Sequence, residues 1–256
     1  MNSTASCATS LGELEEPINN RPRAPAALVP LNRALSKLGL LSRAQATEAI
    51  RAGRVRVEGR IVRDPLCLIV PERTRLAVDG VSQARPGWRT ILFHKPRGVV
   101  TTRIDPEGRP TIYEIIGDAA RGLIAVGRLD FATSGLLLLT NDTQLANWIT
   151  DPASGVPRLY AVTVRGRVTE EALGRVPYRV TLRKASTRES HLTVELCEGR
   201  NRQVRRLFGT IGHEVTRLKR VKLGGFELGR LAPGQWREVS AIEATRAFPG
   251  ARRRGV

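Results

Sequence analysis

Val126–Asp142 reads VGRLDFATSGLLLLTND. Four consecutive leucines, Leu136 to Leu139, sit between Gly135 and the polar group Thr140-Asn141-Asp142. A short continuous apolar run with such flanks reads as a strand covered on both faces. Side chains alternate along a strand, so Leu137 and Leu139 should face away from Leu136 and Leu138. Gly135 permits a tight approach into that strand. Just ahead of it stands one carboxylate, Asp130, preceded by Arg128 and Leu129 and followed by Phe131. A carboxylate so close to a buried strand is costly unless paired. Arginine is the obvious partner, and the densest basic run is EGRNRQVRR at 198–206. Such a pair keeps the acid charged and oriented, and a charged, oriented carboxylate can act as a nucleophile. Spacing alone favours a structural ion pair or a loop cap over a nucleophile.

Around this stretch the elements alternate without a βαβ rhythm. TILFHK at 90–95 is an apolar strand broken by Pro96 and Gly98, with a second strand expected after the break. A turn and a short helix follow in DPEGRPTIYEII. TQLANWITDP puts Leu145, Trp148 and Ile149 on one helical face and stops at Pro152. RLYAVTVRG and HLTVELCEG alternate as strands. RNRQVRRLFGTIGHEV is a helix with Val204, Leu207 and Phe208 inward, and LKRVKLGGFEL and QWREVS are late strands. The expected fold is α+β, with a mixed, largely antiparallel sheet flanked by helices.

The amino-terminal part is of another kind. Residues 1–28 carry little periodicity and are expected to form a disordered arm. Leu31, Ala34, Leu35 and Leu38 make one helical face that Gly39 is placed to end. Ser42 with Gln45 reads as a capping box opening a second helix over Ala46, Ala49 and Ile50. RVRVEGRIV then alternates valine with arginine and turns at Glu58-Gly59. The expected division is a small amino-terminal unit at 29–80, a linker at 81–88, a larger unit at 89–245 and a basic tail at 246–256.

Composition narrows the function. The 256 residues carry a formal charge of +18, and of 42 basic residues five are lysine and the rest arginine. The planar fork of arginine suits phosphate oxygens, so a polyanion, nucleic acid above all, is the expected partner. No apolar run is long enough to span a membrane, and no secretory leader is evident. Cys7, Cys67 and Cys197 lack metal spacing and pairing, and are expected as reduced thiols, the latter two buried. No phosphate-loop, dinucleotide or nucleophile-elbow motif is present, and the three histidines show no metal spacing. A cytoplasmic monomer without membrane or metal partners is expected.

LNRALSKLGLLSRAQATEAIRAGRVRVEGRIV resembles the small RNA-binding domain first known from ribosomal small-subunit protein four. That resemblance implies RNA contacts from Arg33, Lys37, Arg43, Arg51, Arg54 and Arg56. GRLDFATSGLLLLTND resembles the signature of pseudouridine synthases. HKPRGVVTTRIDPEGRPT before it, and RLYAVTV and CEGRNRQVRRLFGTIGHEV after it, are similar to the RsuA/RluB branch, which modifies bacterial ribosomal RNA. The resemblance covers roughly residues 31–240. It implies that a uridine leaves its bond from nitrogen to ribose, turns, and is rejoined through carbon, without cofactor or metal. It makes Asp130 the nucleophile, Tyr160 a base-stacking tyrosine whose hydroxyl can move protons, and Arg205 the partner of Asp130. Arg200 and Arg202 are expected at phosphates, and Lys95 and Arg97 at the substrate backbone. The sequence departs from the branch at His94, at Arg158-Leu159, and in a segment near 174–178 shorter by about a dozen residues. That shortening motivates a competing expectation, a non-catalytic RNA-binding or ribosome-assembly protein on a degenerate synthase fold.

Overall fold

The computed structural model describes residues 28–251, apart from 39, 72 and 84–86. The expectations for the arm over 1–27, for Cys7, for the stop at Gly39 and for the residues after 251 fall outside the described residues.

The leucine strand, Ser134–Thr140, lies inside a nine-stranded sheet. Its neighbours are Thr90–Lys95, which runs antiparallel from Thr90 opposite Thr140 to Lys95 opposite Gly135, and Val215–Leu223. The second pairing is parallel and touches only at Ser134–Lys219 and Gly135–Arg220. From there the sheet continues antiparallel through Arg158–Arg165 and Glu189–Leu196 to Arg179–Ala185. Trp236–Glu238 closes the other edge against Thr90–Lys95. The sheet is thus mixed and largely antiparallel.

All four leucines are fully buried, and they divide as the alternation requires. Leu137 and Leu139 join one core with Phe93, Tyr160, Val194 and Phe208. Leu136 and Leu138 join the core on the other face with Leu145, Ile149, Phe226 and Phe248. Helix Gln203–Thr210 presents Val204, Leu207 and Phe208 to the first core. Helix Thr143–Thr150, capped by the Asp142 carboxylate on two backbone N–H groups, covers the second.

The amino-terminal unit has its own core, built from Leu31, Leu35, Ala46, Ile50 and Val55. Its helices are Leu31–Lys37 and Arg43–Arg51, and the latter opens with the Ser42–Gln45 capping box. A four-stranded sheet follows the helices.

Four expectations need correction. Val81–Gln83 is a strand paired with Leu76–Val78 through a turn at Asp79-Gly80, both at positive φ, so the linker cannot begin at 81. The stretch after Gly98 is no strand; Val100 makes only an isolated bridge to Thr111. The tail does not start at 246: helix Ala241–Ala247 runs past it and Phe248 packs edge-on against Phe226 and Trp148. Cys197 is exposed and Cys67 half-buried. Along strand Glu189–Leu196 the buried positions are Ser190, Leu192, Val194 and Leu196, so Cys197 is out of phase with them and its side chain falls outward.

Candidate active site

Asp130 sits on a tight turn, with the Thr133 N–H donating to the Asp130 carbonyl at 2.9 Å. Every carbonyl of residues 130–133 is hydrogen-bonded. Lys95 Nζ donates to the carbonyls of Asp130 at 3.1 Å and Thr133 at 2.8 Å, and also to that of Pro96 at 3.0 Å. The Gly98 N–H holds the Phe131 carbonyl at 2.8 Å. Arg205 Nη2 holds the Ala132 carbonyl at 3.2 Å. Leu129 is tied on both its backbone groups by the Thr101 hydroxyl. The loop is fixed through its backbone, and the half-buried Asp130 carboxylate itself takes no hydrogen bond among the described residues. A reacting group on a braced support is what precise chemistry requires.

This arrangement revises two readings of the sequence. Lys95 is fully buried and all of its hydrogen bonds go to backbone, so it braces the Asp130 loop instead of meeting the substrate backbone. Arg205 forms no ion pair with Asp130. Its Nη1 and Nη2 are taken by the carbonyls of Val215 and Ala132, and the Asp130 charge acts on it only through space, against the burial that weakens its basicity. One loop carbonyl and one strand carbonyl have claimed the guanidinium that the acid was expected to hold.

Asp130 and Tyr160 line one cavity of about 310 Å³. Tyr160, 8% exposed, enters from strand Arg158–Arg165, with Arg220 opposite it on the next strand. Arg200 and Arg202 line the same cavity from the loop before helix Gln203–Thr210. Arg202 is held at φ +50°, a conformation that side chains adopt at some cost, next to the cavity. Glu198 brings an acid to the same wall, bonded to Tyr178 and Gln203 and paired with Arg200 at 2.9 Å. Arg97 is exposed on the turn after Lys95.

Two buried arginines of the cavity wall escaped the sequence reading as site components. Arg158 is buried and spends its guanidinium on the carbonyls of Ile149, Val156 and Cys197, all at 2.8–2.9 Å. It thereby ties three segments of the wall, and burial together with Arg220 lowers its basicity. Arg220, 3% exposed, reaches across the parallel crossing to the Leu136 carbonyl at 2.8 Å. The only signal in the sequence is an arginine interrupting an apolar alternation, which by itself does not tell inward from outward. His94, the departure beside Lys95, is buried and bonds the Leu231 carbonyl through Nδ1 at 2.6 Å; burial holds it below the ordinary histidine range.

In the amino-terminal unit Arg33, Arg43, Arg51, Arg54 and Arg56 are all exposed. Arg54 is partly neutralised by Asp79 at 3.2 Å, a pairing across 25 residues that spacing does not reveal. Lys37 ends the first helix, and its side chain is outside the described residues.

Comparison with known proteins accords with this geometry. A family model described as RNA pseudouridylate synthase matches residues 89–209, and one described as the S4 domain matches residues 29–65. A relative from Aquifex aeolicus (strain VF5), named an uncharacterized RNA pseudouridine synthase, is 36% identical over 233 residues, which is 86% of this chain and 94% of the relative. Ribosomal large subunit pseudouridine synthase B of Bacillus subtilis (strain 168) is 33% identical over 230 residues, 84% of this chain and 94% of the relative. A crystal structure of a pseudouridylate synthase superposes with a TM-score of 0.57 at 29% identity, covering 86% of this chain and 99% of that one.

Proposed function

The chain belongs to the RNA pseudouridylate synthase family, and from that premise we propose that it converts uridine to pseudouridine in large-subunit ribosomal RNA with Asp130 as nucleophile. The bond between uracil N1 and ribose C1′ breaks, a bond between C5 and C1′ forms, the C5 proton leaves and N1 gains one. Product and substrate are isomers, so nothing is consumed, and the proposed route draws on no cofactor or metal.

The observation that carries the assignment is the braced turn at 130–133. Its carbonyls are all engaged while the Asp130 carboxylate is left to the cavity it shares with Tyr160. A stacked uridine cannot reach such a cavity, so the nucleotide is flipped into it. Tyr160 stacks on the base, and its hydroxyl is available to move a proton. Arg205 and Lys95 are positioning residues that act through the loop. Arg97, Arg200 and Arg202 meet phosphates near the cavity, and the exposed arginines of the amino-terminal unit hold a structured part of the same RNA. The enzyme works as a monomer in the cytoplasm, where ribosomal RNA is made and assembled.

The test is Asp130→Asn, assayed on an unmodified large-subunit RNA transcript by mapping pseudouridine and by measuring RNA binding. The variant is expected to bind RNA as the wild type does and to form no pseudouridine. A rate within about tenfold of the wild type would remove Asp130 from the nucleophile's place.

A further inference from the structure

Two polar groups on the cavity wall are buried without any hydrogen-bond partner among the described residues: Arg220 Nη2 and Thr133 Oγ1. Arg220 is 3% exposed and Thr133 is 2% exposed, so water does not serve them freely. Both line the cavity with Asp130 and Tyr160. The contrast with Arg158 is informative. That guanidinium is equally buried in the same wall, yet its donors are spent on three carbonyls. Arg220 gives Nε to Leu136 and keeps Nη2 unspent. An unmet buried guanidinium N–H is expensive, and a cavity that retains one is built for an acceptor that arrives with its ligand.

The backbone register says which part of the ligand that is. Arg220 lies opposite Tyr160 on one side and Gly135 on the other, between the tyrosine strand and the strand that leaves the Asp130 loop. A base stacked on Tyr160 with Asp130 in reach lies over this position. The phosphates have the exposed arginines that line the same cavity, Arg128, Arg200 and Arg202. The buried donor therefore falls to the base.

We propose that Arg220 is a further catalytic residue, donating from Nη2 to a carbonyl oxygen of the flipped uracil and stabilising the charge that gathers there. The proposal deepens the pseudouridine synthase reading and rests on it. When N1 parts from C1′, the bonding electron pair stays with the base and spreads over O2 and O4. If the carboxylate adds at C6 instead, the displaced pair moves through C5 onto O4. On either route a neutral acceptor becomes anionic in front of a fixed cation, which needs no reorganisation to meet it. On either route N1 has parted from C1′ when the pair forms the C5–C1′ bond. The carboxylate leaves the carbon it had joined, C1′ or C6, with its own electron pair, the C5 proton departs, N1 is protonated, and Asp130 and Arg220 end as they began. The Thr133 hydroxyl, able to give or accept, supplies a second polar contact on the same wall.

The experiment uses a short RNA carrying the uridine that the wild-type enzyme modifies, synthesised with uridine, 2-thiouridine or 4-thiouridine at that position. Sulfur is a poor acceptor, so one thio form should react roughly tenfold or more slowly in single turnover with the wild type. Arg220→Met should lose a similar factor on uridine, bind the RNA as tightly as before, and suffer no further loss on that thio form. Arg220→Lys should recover part of the rate. Equal wild-type rates on all three RNAs would overturn the proposal, as would an Arg220→Met enzyme as sensitive to sulfur as the wild type. Should Arg220→Met fail to fold, the wild-type series decides by the same criterion. A wild-type enzyme that forms no pseudouridine from the uridine RNA overturns the family reading and this proposal together, and so is distinct from the sulfur results.

Discussion

Lys95 donates to three carbonyl oxygens, which takes every proton of an ammonium group. Burial brings its pKa down to about 8, and the charge of Asp130 opposes that shift. Above that pH the amine has two protons, one carbonyl loses its donor, and the turn carrying Asp130 slackens. The rate constant kcat is therefore expected to fall as pH rises through about 8. Stability moves the other way. The unfolded chain keeps this proton to about pH 10.4, so between pH 8 and 10 it binds more protons than the folded one, and this group's contribution to stability increases with pH. An alkaline loss of kcat without a matching loss of Tm is the signature, and Lys95→Met should flatten that limb of the profile. An unchanged limb in the variant would place its cause elsewhere. Lys95 also illustrates the limit of a motif: Lys-Pro is visible in the sequence, but only burial turns the amine from a substrate-backbone contact into a brace.

The parallel crossing of strands Ser134–Thr140 and Val215–Leu223 brings the arms of the site together. Gly135 sits there at φ +113°, and a Cβ on it would run into the backbone of Arg220. Gly135→Ala thus meets both a backbone conformation that disfavours side chains and a contact with main chain, which cannot yield as a flexible side chain can. Its expected cost is about 3 kcal/mol or more, read as a lower midpoint in urea denaturation. Residual folded enzyme should also turn over slowly, because the register that sets Arg220 against Leu136 is displaced. The sequence pointed to a glycine needed for close approach. It did not name the neighbour, since Arg220 is 85 positions away along the chain, and parallel pairing over two residues leaves no periodic trace. The turn at Asp79-Gly80 was missed for a simpler reason: an Asp-Gly hairpin turn was present in the letters, but the short strand after it lacks an apolar period.

Across the whole molecule the charge of +18 is divided between two tasks. Arg33, Arg43, Arg51, Arg97 and Arg202 are exposed and free to meet phosphates, whereas Lys95, Arg158, Arg205 and Arg220 hold backbone carbonyls around the cavity. Affinity for the RNA transcript should fall steeply and linearly in a plot of log K against log salt. Arg43→Gln with Arg51→Gln should lower that slope by about one or two, while Arg158→Met should leave the slope unchanged. A slope near zero for the wild type would contradict the phosphate role of the exposed set. What the amino-acid sequence determined alone is what local chemistry decides: the α+β class, the two faces of the leucine strand, the capping box at Ser42, and the family motifs naming Asp130, Tyr160 and Arg205. Those features depend on neighbours a few positions apart. Which arginines are buried, that Arg205 serves a carbonyl rather than Asp130, and that Arg220 Nη2 and Thr133 Oγ1 stay without a partner in the wall of the cavity shared with Tyr160 were decided only by tertiary structure. A guanidinium bonds with whatever acceptor the fold brings within about 3 Å, and that acceptor is set by strand pairings between residues distant in the chain.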